Sequence, residues 1–156
     1  MNKKQLMDTV NQVLPKAPKE HGRHQMTLGS LIKALQRERT GLPVMLSSVY
    51  QGYEDKYPGM PHSYYGHHSD LAFKPSTEEI TVAQFLKVCE DAMHSTFRAP
   101  DGSPSFYQDY TMIHNTPLWV SELDTASKTG ITDVVPTDGH ITLITETIKE
   151  DSDVPG

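Results

Sequence analysis

The chain has 156 residues, a formal net charge of −6 and a hydrophobic fraction of 36%. This length suits one domain, and the acidic balance argues against binding to a nucleic-acid polymer, which needs a basic surface to displace counterions. No apolar run approaches the ~20 residues of a membrane span, and the first residues lack the apolar stretch of a secretion signal. The single cysteine, Cys89, excludes an internal disulfide and a cysteine zinc cluster. We therefore expect a soluble, cytoplasmic protein in which Cys89 is a buried small hydrophobe.

The N-terminal part of the chain predicts an amphipathic helix and a linker. Apolar residues recur at helical spacing within residues 2–14: Leu6, Val10, Val13 and Leu14. Pro15 and Pro18 end this pattern, and residues 16–25 form a polar linker. A helix set apart in this way packs either on a neighbouring subunit or back on its own domain, and the sequence leaves both open.

Two further helices are predicted from capping residues that precede apolar stripes. Thr27 is a suitable N-cap, and one face of the helix after it is apolar: Leu28, Leu31, Ile32 and Leu35. Thr81 and Gln84 have the spacing of a capping box. The helix that they open directs a second apolar set inward: Val82, Phe85, Leu86, Cys89 and Met93. Both helices therefore have one face suited to packing against other elements.

Several segments predict β-strands, because they are rich in β-branched and aromatic residues. They are residues 44–50, 71–73, 106–113, 118–123 and 140–148, with a shorter strand at 131–135. Residues 51–61 and 98–105 contain several glycines and prolines and predict loops.

The order of these elements favours the α+β class. We expect an antiparallel β-sheet with two main helices packed on one face, together with the N-terminal amphipathic helix. A parallel doubly wound sheet would need strands and helices to alternate regularly, and they do not. The expected organisation is a helix and linker in residues 1–25, one α+β domain in residues 26–149 and a frayed acidic tail in residues 150–156.

The segment of residues 61–73 holds three of the eight histidines and two adjacent tyrosines around Gly66. Such side chains can stack on a planar ring, donate to phosphate or bind a metal, whereas a polar loop leading into an edge strand is the plainer interpretation. His62, His67 and His68 invite a metal site with Asp70 as a further ligand. Adjacent histidines on an extended chain point to opposite faces, so we expect no metal there.

Three His-x-Thr triplets begin at His94, His114 and His140. Two such triplets on facing strands are typical of two-histidine phosphoesterases, in which one histidine is the base and the other the acid. Only His140 lies in a predicted strand, so we interpret the triplets as coincidence. No glycine-rich phosphate loop and no nucleophile elbow occurs in the sequence. We expect a binding protein without catalytic residues or a cofactor, rather than an enzyme.

Residues 115–120 form a second notable segment, because they contain the only tryptophan, Trp119. A single tryptophan on a strand usually belongs to a core, but its ring can also stack on a ligand. Asn115 can recognise a base or ribose edge through its amide, or form an Asx turn before Pro117.

Together these segments resemble a group of small phage-encoded proteins, the Thoeris anti-defence sponges. The group's pattern has a helix opened like residues 27–32, a Ser-Tyr-Arg-Gly-x-Tyr-x-x-Leu-Ala stretch and a Thr-Pro-Leu-Trp-Val strand. The matching residues here are Ser63, Tyr64, Gly66, Leu71 and Ala72, followed by residues 116–120. The pattern's arginine is replaced by Tyr65, and the aromatic residue before Asp-Leu-Ala is His68. An arginine there would hold a pyrophosphate bidentately, so either the ligand differs or Arg98, Arg37 or Arg39 supplies the charge.

The resemblance implies a protein that binds cyclic ADP-ribose isomers or cyclic oligonucleotides in the host cytoplasm without cleaving them, as a dimer or higher homo-oligomer. The candidate ligand-binding residues are Ser63, Tyr64, Tyr65, Gly66, His67, His68, Arg98, Asn115, Thr116 and Trp119. The competing hypothesis is a protein-binding inhibitor of a host defence enzyme, supported by the net charge of −6 and the acidic tail. The third hypothesis is a His-x-Thr cyclic phosphodiesterase.

Overall fold

The structure is a computed structural model that describes residues 25–47, 56–100, 107–123 and 125–148. The two helices are α1 (Leu28–Gln36) and α2 (Val82–Ala92). The strands are β1 (Val44–Leu46), β2 (Tyr57–Tyr64), β3 (His67–Ser76), β4 (Thr96–Pro100), β5 (Tyr107–Thr111), β6 (Leu118–Val120), β7 (Thr129–Thr137) and β8 (His140–Thr147). Strands and bridges account for 50% of the described residues and helices for 18%. The expected N-terminal helix and acidic tail lie outside the described residues.

Six of the strands form one mixed sheet in the order β1-β8-β7-β6-β3-β2. β1 pairs with β8 and β3 pairs with β6 in parallel, whereas the other neighbours are antiparallel. The Leu46 amide donates to the carbonyl oxygen of Lys56 over 2.8 Å, which brings β1 close to the start of β2. The sheet is therefore curved into a nearly closed barrel, while β4 and β5 form a separate antiparallel ribbon.

The predicted α+β class is therefore wrong, because the described chain is mostly β and its sheet is mixed and nearly closed. The expectation of an antiparallel sheet assumed that the late strands join by short turns. Instead β1 enters beside β8, almost a hundred residues further along the chain, as in the parallel pair of Leu46 with Leu143. The hydrophobic pattern of a strand indicates which of its faces is buried, but it does not indicate which distant strand pairs with it.

The prediction of a loop over residues 51–61 is wrong for residues 57–61, which begin β2. β2 is the last strand in the sheet order, and Pro58 faces Pro75 of β3. Proline is tolerated on such a strand because the unpaired side needs no N–H donor. The predicted loop over residues 98–105 likewise begins inside a strand, because β4 runs to Pro100 at the end of the two-stranded ribbon.

Both predicted helices begin where their capping residues place them. Thr27 accepts from the Ser30 amide, and Thr81 and Gln84 form the reciprocal capping box. One core joins both helices to one face of the sheet. Its buried residues include Leu28, Leu31, Leu35, Val82, Phe85 and Cys89 from the helices, and Leu71, Phe73, Leu118, Val120, Ile131, Ile141 and Leu143 from the strands. Burial also raises the pKa of the Cys89 thiol well above its ordinary value, with a smaller contribution from the charge of Glu90.

A second, smaller cluster lies on the opposite face of the sheet and consists of Tyr64, Ala72, Trp119 and Ile148. Alternation along β6 separates the two clusters, since Leu118 and Val120 enter the main core while Trp119 points the other way. Among the described residues, no helix has the length and apolar character needed to cross a membrane.

Candidate ligand-binding site

The segment of residues 61–73, expected as a loop before a short strand, is a β-hairpin. β2 ends at Tyr64, β3 begins at His67, and these two residues are paired. Gly66 in the turn has φ +110°, a conformation that glycine adopts at little cost. The chain reverses direction immediately after Tyr64. As a result Tyr64 is 1% exposed, while the neighbouring Tyr65 is 47% exposed.

Tyr64 and Trp119 form a closed aromatic pair on the outer face of the sheet. Their rings are stacked, with centroids 4.1 Å apart and planes within 3° of parallel. The Trp119 Nε1–H donates to Oδ2 of Asp70 over 2.9 Å, and the Tyr64 hydroxyl accepts from the Lys128 amide over 2.9 Å. Trp119 is fully buried and Asp70 is 4% exposed. In this conformation the two predicted stacking rings face each other rather than a ligand.

His62 is a buried link between β2 and the chain after β6. Its Nε2 lies 2.9 Å from the Ser121 carbonyl oxygen, and its Nδ1 lies 3.0 Å from the carbonyl oxygen of Ser63. Because a neutral imidazole has one N–H, it donates to one of these two carbonyl oxygens, and the contact with Ser121 joins the hairpin to the chain after β6. This arrangement assigns His62 to the scaffold that holds the site.

Gln25 lies against the same outer face and has an unusual environment. Its side chain is 6% exposed, and neither its amide nitrogen nor its amide oxygen has a hydrogen-bond partner. Gly130, the cross-strand partner of Trp119, leaves the space that Gln25 fills, because a Cβ there would lie 2.5 Å from the Gln25 Cγ. The hydroxyl of Ser121 is also buried without a partner. Unpartnered buried polar groups lower stability, typically by ~1–3 kcal/mol each.

An open aromatic and imidazole surface lies at the other side of the hairpin tip. We call Tyr65, His68 and Tyr110 the open cluster. The His68 ring is half-buried, 6.0 Å from the Tyr65 ring at an angle of 88° and 5.7 Å from the Tyr110 ring at 41°. Ser63 lies beneath it, with Oγ 3.2 Å from Nδ1 of His68 and 2.5 Å from the His68 carbonyl oxygen. This cluster combines an exposed phenol ring with a positioned imidazole.

Arg98 lies on the ribbon, but on the face opposite to Tyr110. Its register partner is Asp109, with which it forms an exposed ion pair of 3.6 Å, and its guanidinium lies 5.8 Å from the centre of the Tyr107 ring. Tyr110 pairs with Phe97, one residue along, and therefore faces the other way. The structure does not bring Arg98 together with the open cluster.

Asn115 and Thr116 lie in the turn between β5 and β6. The Thr116 side chain is buried and accepts from the Ile113 amide over 2.8 Å, while its carbonyl oxygen accepts from the Leu28 amide. Asn115 is exposed. Thr116 therefore supports the start of α1. It is distant from the hairpin tip in sequence.

Among the histidines that the structure describes, those of the His-x-Thr triplets do not form a facing pair of strand residues. His140 begins β8, but His114 lies in a turn and His94 follows α2 with φ +66°. His67 is exposed at the start of β3. Within the described ranges, no three histidine, cysteine, aspartate or glutamate side chains are grouped closely enough to hold a metal ion.

Sequence reasoning does not predict three residues at or beside the candidate site. Tyr110 carries no local motif, and only the pairing of β4 with β5 and their approach to the hairpin place it beside His68. Asp70 was considered only as a metal ligand, although its position two residues before Ala72 puts both on one face of β3. Gln25 falls in the predicted linker, and no sequence signal indicated its burial.

Comparison of the chain with protein-family models, with curated proteins and with solved structures finds no match. The structure defines a mostly β domain whose hairpin carries a closed aromatic pair on one side and an open cluster on the other.

Proposed function

We propose that this protein is a phage anti-defence protein that binds and sequesters a cyclic nucleotide signal without cleaving it. The ligand would be a cyclic ADP-ribose isomer or a cyclic oligonucleotide, held at the hairpin tip. The observation that carries the proposal is the open cluster, in which a half-exposed tyrosine ring stands beside a positioned imidazole. A nucleobase stacks favourably on an aromatic side chain, by ~1–3 kcal/mol per base.

The positions of the histidines support binding over cleavage. Acid–base cleavage of a phosphodiester by two His-x-Thr triplets requires both histidines near one phosphate, on facing strands. Of the triplets, only the one at His140 begins in a strand, and His114 lies in a turn. The open cluster itself contains one imidazole and two phenols, which can hold a ligand but do not form an acid–base pair of histidines.

The ligand class and the assembly come from the sequence resemblance. The matched pattern includes Ser63, Tyr64 and Gly66, which form the hairpin tip, and Thr116 to Val120, which lead into β6. A binding site at an exposed hairpin tip is shallow, and a second subunit would bury more of the ligand. We therefore propose a homo-oligomer, a dimer or larger.

A thermal-shift screen against cyclic ADP-ribose isomers and cyclic di- and trinucleotides tests this function. A ligand that binds only the folded state raises the melting temperature by mass action, so several degrees are expected at micromolar ligand. Chromatography of the ligand after denaturation must recover it unchanged. Tyr65→Ala should remove the shift, whereas Tyr107→Ala, an exposed tyrosine on the outer face of the ribbon, should retain it.

The outcomes separate the three functional classes. Recovery of an altered ligand would contradict sequestration and favour a phosphodiesterase. Absence of any shift, together with co-purification of a host protein, would favour the protein-binding inhibitor instead. A shift that persists in Tyr65→Ala would place the ligand elsewhere on the molecule.

A further inference from the structure

We infer that Nε2 of His68 accepts a hydrogen bond from an N–H group on the planar ring of the ligand, and so selects an aminated base such as adenine. This inference rests on the proposed nucleotide binding and specifies its chemistry. It assigns His68 the role of a base-reading residue, with Tyr65 as the stacking surface beside it.

The proton on the Ser63 hydroxyl determines which nitrogen of His68 is protonated. Ser63 Oγ lies 2.5 Å from the His68 carbonyl oxygen, a distance that two oxygens reach only with a proton between them. A serine hydroxyl has one proton and two lone pairs. Because that proton is donated to the carbonyl, Oγ must act as the acceptor in its 3.2 Å contact with Nδ1 of His68.

The imidazole of His68 therefore carries its proton on Nδ1. In the neutral ring Nε2 is then an unprotonated acceptor. Among the described residues, no hydrogen bond to Nε2 of His68 is present, whereas Nδ1 has its partner in Ser63. Ser63 thus acts as a positioning residue that sets the tautomer, in the way that a second group orients a functional histidine in many sites.

The neighbours of His68 define the shape of the ligand group that it would recognise. The Tyr65 ring is 47% exposed, and its centre lies 6.0 Å from the imidazole. The proposal places the planar ring of the ligand on Tyr65, with a hydrogen-bond donor of that ring at Nε2 of His68. The amino group of adenine is such a donor, whereas purine without the amino group presents only acceptors.

The test compares two ligands and three forms of the full-length protein by titration calorimetry at about pH 8. The ligands are a cyclic ADP-ribose isomer whose adenine has a free amino group and its analogue with purine in place of adenine. The proteins are the parent, His68→Phe, which keeps a planar ring without the acceptor, and His114→Phe, a matched change at an exposed turn.

The parent and His114→Phe should bind the adenine ligand about five- to tenfold more tightly than the purine analogue, a ratio expected for one hydrogen bond. His68→Phe should bind the two ligands equally. Equal binding of both ligands by the parent would contradict base selection by His68 but would leave sequestration intact. A preference that survives in His68→Phe would also contradict base selection by His68, and no binding of either ligand would overturn both proposals.

A second measurement keeps the inference testable if His68→Phe does not fold. Nitrogen-15 NMR of the imidazole in the parent protein distinguishes the two neutral tautomers directly. The Nδ1–H tautomer is expected at His68, and it should be lost in Ser63→Ala. The Nε2–H tautomer in the parent would remove the acceptor and overturn the inference.

Discussion

Tyr64 and Tyr65 are neighbours of the same residue type, yet they belong to two different environments. Tyr64 is 1% exposed and stacks on Trp119, and its hydroxyl accepts from the Lys128 amide. Tyr65 is 47% exposed and stands beside His68 in the open cluster. The hairpin turn separates them, because the strand that buries Tyr64 ends before Tyr65.

This difference indicates how one hairpin can be stable and still present the proposed binding surface. The closed pair supplies packing: its rings are parallel and the polar groups of Trp119 and Tyr64 both have partners. In the open cluster, Tyr110 is packed against the main core, but the Tyr65 ring is left partly in solvent. Stability is therefore expected to depend on the closed pair and ligand binding on the open cluster.

The largest expected effect comes from removing the two tyrosines one at a time. Tyr64→Ala should lower the free energy of unfolding by about 3–5 kcal/mol, as for other buried aromatic side chains that leave a cavity. Tyr65→Ala should change it by less than about 0.5 kcal/mol, because the side chain is on the surface. Urea denaturation followed by far-UV circular dichroism measures both. Equal losses in the two variants would contradict the division between the two environments.

The carboxylate of Asp70 provides a finer test of the closed pair. Asp70→Ala leaves the buried indole N–H of Trp119 without its acceptor at 2.9 Å, and should cost about 1–3 kcal/mol of stability. Asp70→Asn keeps an acceptor oxygen and should cost less. The measurement is the midpoint of urea unfolding, read from the fluorescence of Trp119. If Asp70→Asn is as destabilised as Asp70→Ala, the hydrogen bond to Trp119 is not what makes Asp70 important.

Replacing Gln25 should stabilise the face of the sheet that carries the closed aromatic pair. Gln25→Met replaces a buried amide without partners by an apolar chain of similar length, and should raise the free energy of unfolding by about 1 kcal/mol. Gln36→Met, at an exposed position at the end of α1, serves as the control and should have little effect. A melting temperature lowered in Gln25→Met would mean that the amide has a stabilising role.

The smallest stability effect is expected at Arg98. Its ion pair with Asp109 is long, at 3.6 Å, and both side chains are more than half exposed, so Arg98→Ala should change stability by less than about 0.5 kcal/mol. Because Arg98 and Tyr110 face opposite sides of the ribbon, this variant should also weaken ligand binding less than Tyr65→Ala does. A larger loss of binding in Arg98→Ala would indicate that Arg98 supplies the phosphate contact.

Local signals in the sequence identified the helices but not the sheet. The caps at Thr27 and Thr81 depend on residues within one turn of helix, and both are confirmed. The burial of Cys89 is confirmed for the same reason, since it follows from helical spacing. The parallel pairing of β1 with β8 depends on a partner far along the chain, and the proline-containing start of β2 depends on its position at the edge of the sheet.

The same distinction between local and distant features applies to the candidate site. The hairpin tip could be singled out because its histidines and tyrosines are adjacent in sequence. Two features could not be predicted: the stack of Tyr64 on Trp119 joins residues 55 positions apart, and the approach of Tyr110 to His68 depends on how the ribbon packs. Trp119 lies in the core, as a single tryptophan on a strand usually does.

The most direct measurement of the central claim is the melting temperature of the parent protein and of Tyr65→Ala, each with and without a cyclic ADP-ribose isomer whose adenine has a free amino group. We expect a rise of several degrees for the parent and almost none for the variant, with the two proteins equally stable in the absence of ligand. The same rise in both proteins, or no rise in the parent, would contradict ligand binding at the open cluster.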